Sequence, residues 1–233
     1  MKIFAHRGVS ALYPENSQTA ISACDASVMH GVEIDLFQTE QSFFVVHDPW
    51  LSRLFGVNKK ITDTPASEIK SLICQDNKPI PDLKWLIEQV SETNLHLNIE
   101  LKTIADATLF VEQLQALITQ YHFDEKQLLI SSFNHQYLAD IYRLKPNWPL
   151  GMLIAHHPLN VAPLLGQFPI YSLHLSMHAI STELIAQAKQ HGLQVFVYTV
   201  DQQEDINWLM ANKVDGIFAN HPEQAYKIVN NLI

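Results

Sequence analysis

Two cysteines, Cys24 and Cys74, in 233 residues are too few for a disulfide framework to hold this chain together. Positive charge is scarce as well. Lys and Arg number 15 against 24 Asp and Glu, a net charge of −9. That balance excludes general binding to nucleic acid or an anionic membrane surface, both of which need basic patches. A small phosphorylated ligand stays compatible, because a bound metal and a few cations set the local field there. No apolar run approaches the ~20 residues needed to cross a bilayer. Met1-Lys2-Ile3-Phe4-Ala5 runs into His6 without room for a signal peptide's apolar region. A cytoplasmic protein with no stable membrane insertion is the expectation. No low-complexity tract, charge run, Gly/Ser linker or fixed-period repeat divides the chain. With 47% apolar residues it can bury a sizeable core, and one domain over 1–233 is expected.

What is present is a regular order of elements. Residues 2–5 form a short apolar strand ending at His6. Residues 17–30 are predicted helical. Asn16 or Ser17 caps them, Ala20, Ile21, Cys24 and Val28 form one stripe, and Gly31 is the stop. Residues 32–37 and 43–46 read as strands with only 38–42 between them. That is too short for a parallel crossover, so the two form a hairpin. Residues 49–80 read as a loop-rich insertion with one short helix near 65–72. A helix over 82–92 follows. The pattern is then strand and helix in turn, with strands at 95–101, 128–132, 151–154, 171–175, 195–200 and 216–219. Helices are predicted at 106–121, 134–143, 181–190, 203–211 and 222–230, and a weaker one at 156–168, interrupted by Pro158 and Pro163. Without the hairpin's return strand, eight strands remain. Their order predicts an α/β fold, a parallel (β/α)8 TIM barrel, with the small insertion after the hairpin. The alternative, an open doubly wound sheet, usually carries a Gly-rich turn after its first strand. This chain has Arg7-Gly8 and then Pro14 instead.

Two histidines, an arginine and two alternating carboxylates crowd into the first fifth of the chain, and a further acid and cation follow on a later strand. In Val32-Glu33-Ile34-Asp35-Leu36 the period of two puts both acids on one face and the apolar residues on the other. In a barrel the apolar face meets the helices, so the acids point inward. Two carboxylates there repel and need a cation, or one must stay protonated. Oxygen ligands favour a hard ion, Ca²⁺ or Mg²⁺. Ion pairs with Lys or Arg satisfy them equally well, and both arrangements stay open. Asn98-Ile99-Glu100-Leu101-Lys102 repeats the alternation and ends where barrel active sites lie. Glu100 could be a third ligand and Lys102 a phosphate contact, or the two could pair with each other. His6 and His47 each follow an apolar run, and histidine suits proton transfer near neutrality. Arg7 offers a fork matched to phosphate oxygens. Asp48 could orient His47 or cap a turn. The other ten histidines show no His-x-His or zinc-type spacing.

These residues resemble the glycerophosphodiester phosphodiesterase family. His6-Arg7-Gly8, Pro14-Glu15-Asn16, Gly31, Glu33-x-Asp35, Val45-Val46-His47-Asp48, Arg53, Glu100-Leu101-Lys102, Ser132-Phe133 and Asp215-Gly216-Ile217 stand in that family's order. The resemblance implies a TIM barrel that hydrolyses glycerophosphodiesters to glycerol 3-phosphate and an alcohol. It implies one divalent cation, Ca²⁺ or Mg²⁺, on Glu33, Asp35 and Glu100, with His6 and His47 as the acid/base pair. It implies Arg7 and Lys102 on the phosphate. The chain departs from the family's pattern at Tyr198, which commonly is Trp and packs against glycerol, and at Asp201, often Asn. It departs again at Ala219-Asn220-His221-Pro222, usually Thr-Asp before an aromatic and Pro, and at Glu40-Gln41-Ser42 in the hairpin.

Overall fold

The computed structural model describes residues 1–165 and 168–232. The described strands are β1 (Lys2–His6), β2 (Gly31–Thr39), β3 (Ser42–Val45), β4 (His96–Thr103), β5 (Leu128–Ser132), β6 (Leu150–Ile154), β7 (Ser172–Ser176), β8 (Gln194–Tyr198) and β9 (Gly216–Ala219). The helices are α1 (Gln18–Ser22), α2 (Ser52–Phe55), α3 (Ala66–Ile69), α4 (Leu83–Ser91), α5 (Ala107–Tyr121), α6 (His135–Leu144), α7 (Thr182–Gln190), α8 (Gln203–Ala211) and α9 (Pro222–Val229). The sheet runs β1-β9-β8-β7-β6-β5-β4-β2, and β1 also pairs with β2, so eight parallel strands close into the expected barrel. β3 stays outside it, antiparallel to β2 with Thr39 opposite Ser42.

The alternation in β2 and β4 works as the sequence predicts. Val32, Ile34, Leu36, Leu97, Ile99 and Leu101 are all buried in the main core with the helices. Each such side chain stabilises the fold by about 1.5–3 kcal/mol on burial. Local capping starts the helices. Asp82, Asp106 and Ser181 accept from the backbone N–H groups of Trp85, Leu109 and Leu184 at the starts of α4, α5 and α7. Inside the barrel, Phe4, Leu129, Phe196 and Phe218 form a separate apolar cluster. His174 packs on Phe196 and Phe218, and burial holds its pKa down at about 3. The polar inward residues therefore gather above this plug, at the strands' C-terminal ends.

Two predicted helices differ. The one expected over 17–30 is cut to α1. Asp25 accepts from Ser27 N–H at 2.8 Å through its side chain, and its carbonyl accepts from Val28 and Met29. Those local turns displace the helical ladder. By His30 the chain already hydrogen-bonds to the Ile3 carbonyl at 2.8 Å. The helix expected over 156–168 is replaced by a single 3-10 turn, Ala162–Leu164, with Pro163 inside it. Its positions 166–167 lie outside the described residues. Residues 49–80 hold more than the one expected helix: α2, a 3-10 turn at Ile61–Asp63, and α3. They cover a small core of their own, in which Leu51, Ile61, Ile69 and Ile80 meet Phe37 and Phe44 of the hairpin.

Candidate active site

β1 ends at His6, and the chain turns sharply through Arg7 (φ 57°) and Gly8 (φ 77°). A Cβ on Gly8 would lie 2.5 Å from the carbonyl carbon of Ala20, so glycine is required there. The turn brings Arg7 to the acids of β2. Its backbone N–H donates to Glu33 Oε2 at 3.0 Å, and its Nε lies 3.3 Å from Asp35 Oδ2. β4 brings the third acid, with Glu100 in register beside Asp35. Ligand oxygens of Glu33, Asp35 and Glu100 all lie within 4.8 Å of one another. Lys102 Nζ donates to Glu100 Oε1 at 2.7 Å and stands 3.4 Å from Asp35 Oδ1.

Both arrangements open from the sequence thus meet at one point. The acids pair with Arg7 and Lys102, but two cations face three carboxylates. Among the described residues, Glu33 Oε1 is buried with no partner. Burial, then Asp35 and Glu100 beside it, push the Glu33 pKa well above the usual carboxylate range. Burial and Asp35 push Glu100 up to about 7. For Arg7 and Lys102, burial alone would favour the neutral form. The neighbouring acids, Asp35 foremost, outweigh it and raise both pKa values. An all-oxygen cluster with one orphaned carboxylate oxygen fits a hard divalent cation.

The two histidines line a cavity of about 290 Å³, which Arg7, Glu33, Glu100 and Lys102 also line. His47 Nδ1 is 2.8 Å from Asp48 Oδ1. That geometry favours the orienting role for Asp48 over the turn cap. Asp48 is held near 2 by its bond from Arg53, assisted by His47. Arg53, carried by α2, also donates to both oxygens of Glu15, at 2.7 and 3.0 Å, and Glu15 accepts from Arg7 at 2.9 Å. Glu15, His47 and Asp48 form a second close group of possible ligands, whose two carboxylates already pair with Arg53. His6 Nδ1 is 2.8 Å from Asn220 Oδ1. Burial, then Arg7, lower the His6 pKa. One wall is aromatic. Tyr198 meets Phe133 edge-on at 5.8 Å, its hydroxyl donates to Ile154 O at 3.0 Å, and Lys102 Nζ lies 5.8 Å over the Phe133 ring.

All eight residues singled out from the sequence therefore line or adjoin one cavity: His6, His47, Arg7, Lys102, Tyr198, Glu33, Asp35 and Glu100. Others are named from the sequence without a role in the site. Asn16 is buried, donates to Asp35 Oδ2 at 2.8 Å and accepts from the Asp35 N–H at 3.3 Å. Its motif reads as a helix start from composition, and only the left-handed φ of 56° with a buried amide betrays the other role. Arg53, Asp201 and Asn220 act through side-chain bonds that leave no periodic signal.

A carboxylate triad, two basic side chains and two imidazoles meet at the C-terminal rim of a parallel barrel, a set of groups able to bind an anion and to exchange protons. A sequence model of the glycerophosphoryl diester phosphodiesterase family matches residues 6–224. A glycerophosphodiester phosphodiesterase of Caldanaerobacter subterraneus subsp. tengcongensis is 30% identical, with 97% of each chain covered. One of Bacillus altitudinis is 28% identical over 97% of each chain. In fold, the chain is similar to an Oleispira antarctica phosphodiesterase solved with the product sn-glycerol-3-phosphate. There the TM-score is 0.89 at 24% identity, over 99% of this chain and 97% of that one. The chain belongs to the glycerophosphoryl diester phosphodiesterase family.

Proposed function

We propose that this enzyme hydrolyses glycerophosphodiesters to glycerol 3-phosphate and an alcohol, with Glu33, Asp35 and Glu100 holding one Ca²⁺ or Mg²⁺. The observation that carries the reading is Glu33 Oε1, buried without a partner between two further carboxylates. Leaving such an oxygen unpaired costs about 1–3 kcal/mol or more, and a hard cation relieves it. The names of the curated relatives and the product bound in the Oleispira enzyme support the substrate class.

The bound cation would neutralise charge on the phosphate and on the transition state. Arg7 and Lys102 add positive charge at the same place and orient the phosphoryl oxygens. One of His6 and His47 removes a proton from the attacking hydroxyl, and the other protonates the departing alkoxide. Tyr198 and Phe133 give the glycerol carbons an apolar wall. Residues 49–80 act as the insertion that closes one side of the site, through Arg53.

Release of glycerol 3-phosphate from a panel of glycerophosphodiesters tests this, after chelation and after return of Ca²⁺ or Mg²⁺. Turnover should vanish with chelator and return with the ion. Undiminished turnover in chelator would overturn the carboxylate assignment. Full activity in both His6→Ala and His47→Ala would overturn the acid/base assignment. A protein that binds the diesters but never cleaves them would be a non-catalytic barrel.

A further inference from the structure

His6 Nδ1 is held by two residues outside the proposed machinery. Asn220 follows β9, and Asp201 lies in the segment after β8. Asp201 Oδ1 accepts the backbone N–H groups of Asn220 at 2.8 Å and His221 at 3.2 Å, where α9 begins. Its other oxygen accepts Asn220 Nδ2 at 2.7 Å. A carboxylate accepts here and does not donate, so the amide must turn its NH₂ to Asp201. Asn220 Oδ1 then has to face His6 Nδ1, 2.8 Å away. An amide oxygen has no proton to give. The hydrogen in this bond therefore belongs to His6 Nδ1, and the lone pair belongs to Nε2. Ser10 supports the same corner: its hydroxyl donates to the His6 carbonyl at 2.7 Å and stands 3.0 Å from Asn220 Oδ1.

We propose that Asp201 and Asn220 are a positioning relay that sets the tautomer and ring orientation of His6, presenting an unprotonated Nε2 to the substrate. The relay rests on the role given to His6 above. It makes a distinctive demand on position 201. Asn in place of Asp has one acceptor oxygen, where three N–H groups now need two. If that oxygen stays with the two backbone N–H groups, NH₂ faces NH₂. Asn220 then reverses its amide, offers Nδ2 to His6, and moves the His6 proton to Nε2. Exchanging both residues restores the pattern. The carboxylate now at position 220 accepts from His6 Nδ1 and from the NH₂ now at position 201. The amide oxygen at 201 keeps the backbone N–H groups.

The test uses ¹⁵N-histidine-labelled full-length enzyme, with His6→Ala identifying the His6 resonances. Wild type should show Nδ1 protonated and Nε2 bare. Asp201→Asn should invert that signature and lower kcat by about a hundredfold or more, the weight of a lost general base or acid. KM should change by less than about threefold, since nothing at 201 or 220 is assigned to the substrate. Asp201→Asn/Asn220→Asp should recover both the signature and most of kcat. A wild-type His6 protonated on Nε2, an unchanged Asp201→Asn, or a double variant that recovers neither property overturns the relay. Should Asp201→Asn not fold, Asn220→Ala carries the same readout, with both tautomers populated and kcat reduced. Unchanged tautomer and kcat in Asn220→Ala would overturn it equally. Undiminished activity in His6→Ala fails the catalytic reading instead, and the resonances then judge the relay alone.

Discussion

Glu100→Gln tests the proposed cation site, because charge at this position should cost stability without a cation and gain it with one. In the cation-free protein, burial and Asp35 raise the Glu100 pKa from 4.5 to about 7. As pH rises through that window the unfolded chain releases the proton while the folded chain keeps it. Stability therefore falls with rising pH. Holding the proton from 4.5 up to about 7 amounts to about 3 kcal/mol. For a chain of this size that is about 6–12 °C in Tm. Buried neutral histidines act in the opposite sense. His174, held near 3, and His30, held near 4, add stability as pH rises towards 6.5. They are common to both proteins and cancel in the difference. Differential scanning calorimetry in chelator, from pH 4 to 7.5, should show Glu100→Gln gaining on wild type by about that amount. Added Ca²⁺ at pH 7.5 should then raise the wild-type Tm more than that of the variant, which lacks one ligand. A difference that stays flat with pH, or an equal response to Ca²⁺, would refute the reasoning.

Gly8→Ala places a Cβ against the Ala20 backbone at a left-handed φ. It should lower stability by at least about 1–3 kcal/mol and displace Arg7, seen as a fallen Tm and a raised KM. Arg53 is half exposed, so Arg53→Ala should change stability by less than about 1 kcal/mol. It should still reduce kcat about tenfold or more, since Asp48 and Glu15 both lose their anchor. Tyr198→Phe forfeits one hydrogen bond, about 1 kcal/mol of stability, and leaves KM unchanged. Tyr198→Ala removes the wall and should raise KM. If the attacking group is the glycerol 2-hydroxyl, it displaces the alcohol and leaves a cyclic phosphate that water then opens. A diester lacking that hydroxyl should then be cleaved far more slowly, and an equal rate would show direct attack by water.

The barrel and its acids were legible because both obey a short period. Alternation alone turns Glu33, Asp35 and Glu100 inward, and strand order alone brings β2 and β4 side by side with Asp35 next to Glu100. The helix over 17–30 misled because its apolar stripe is real, while Asp25 and Ser27 supply a competing turn that periodicity does not weigh. The positioning bonds were illegible for a different reason. Arg53 reaches Glu15 across 38 positions and Asp201 reaches Asn220 across 19. Side-chain bonds between loops have no spacing rule. The departures from the family's pattern at 201 and 220 look separate in the sequence, and the structure joins them by two hydrogen bonds.

The bond between His6 and Asn220 ties residues 214 positions apart, at the ends of β1 and β9, strands that lie next to each other only when the barrel closes. During synthesis the three acids and both basic side chains have all left the ribosome once Lys102 has emerged. The imidazole proposed to work beside them lacks its Asn220 partner until β9 has followed. On the proposed mechanism, turnover of a diester then requires the last strand in place, and the onset of activity during refolding should coincide with barrel closure.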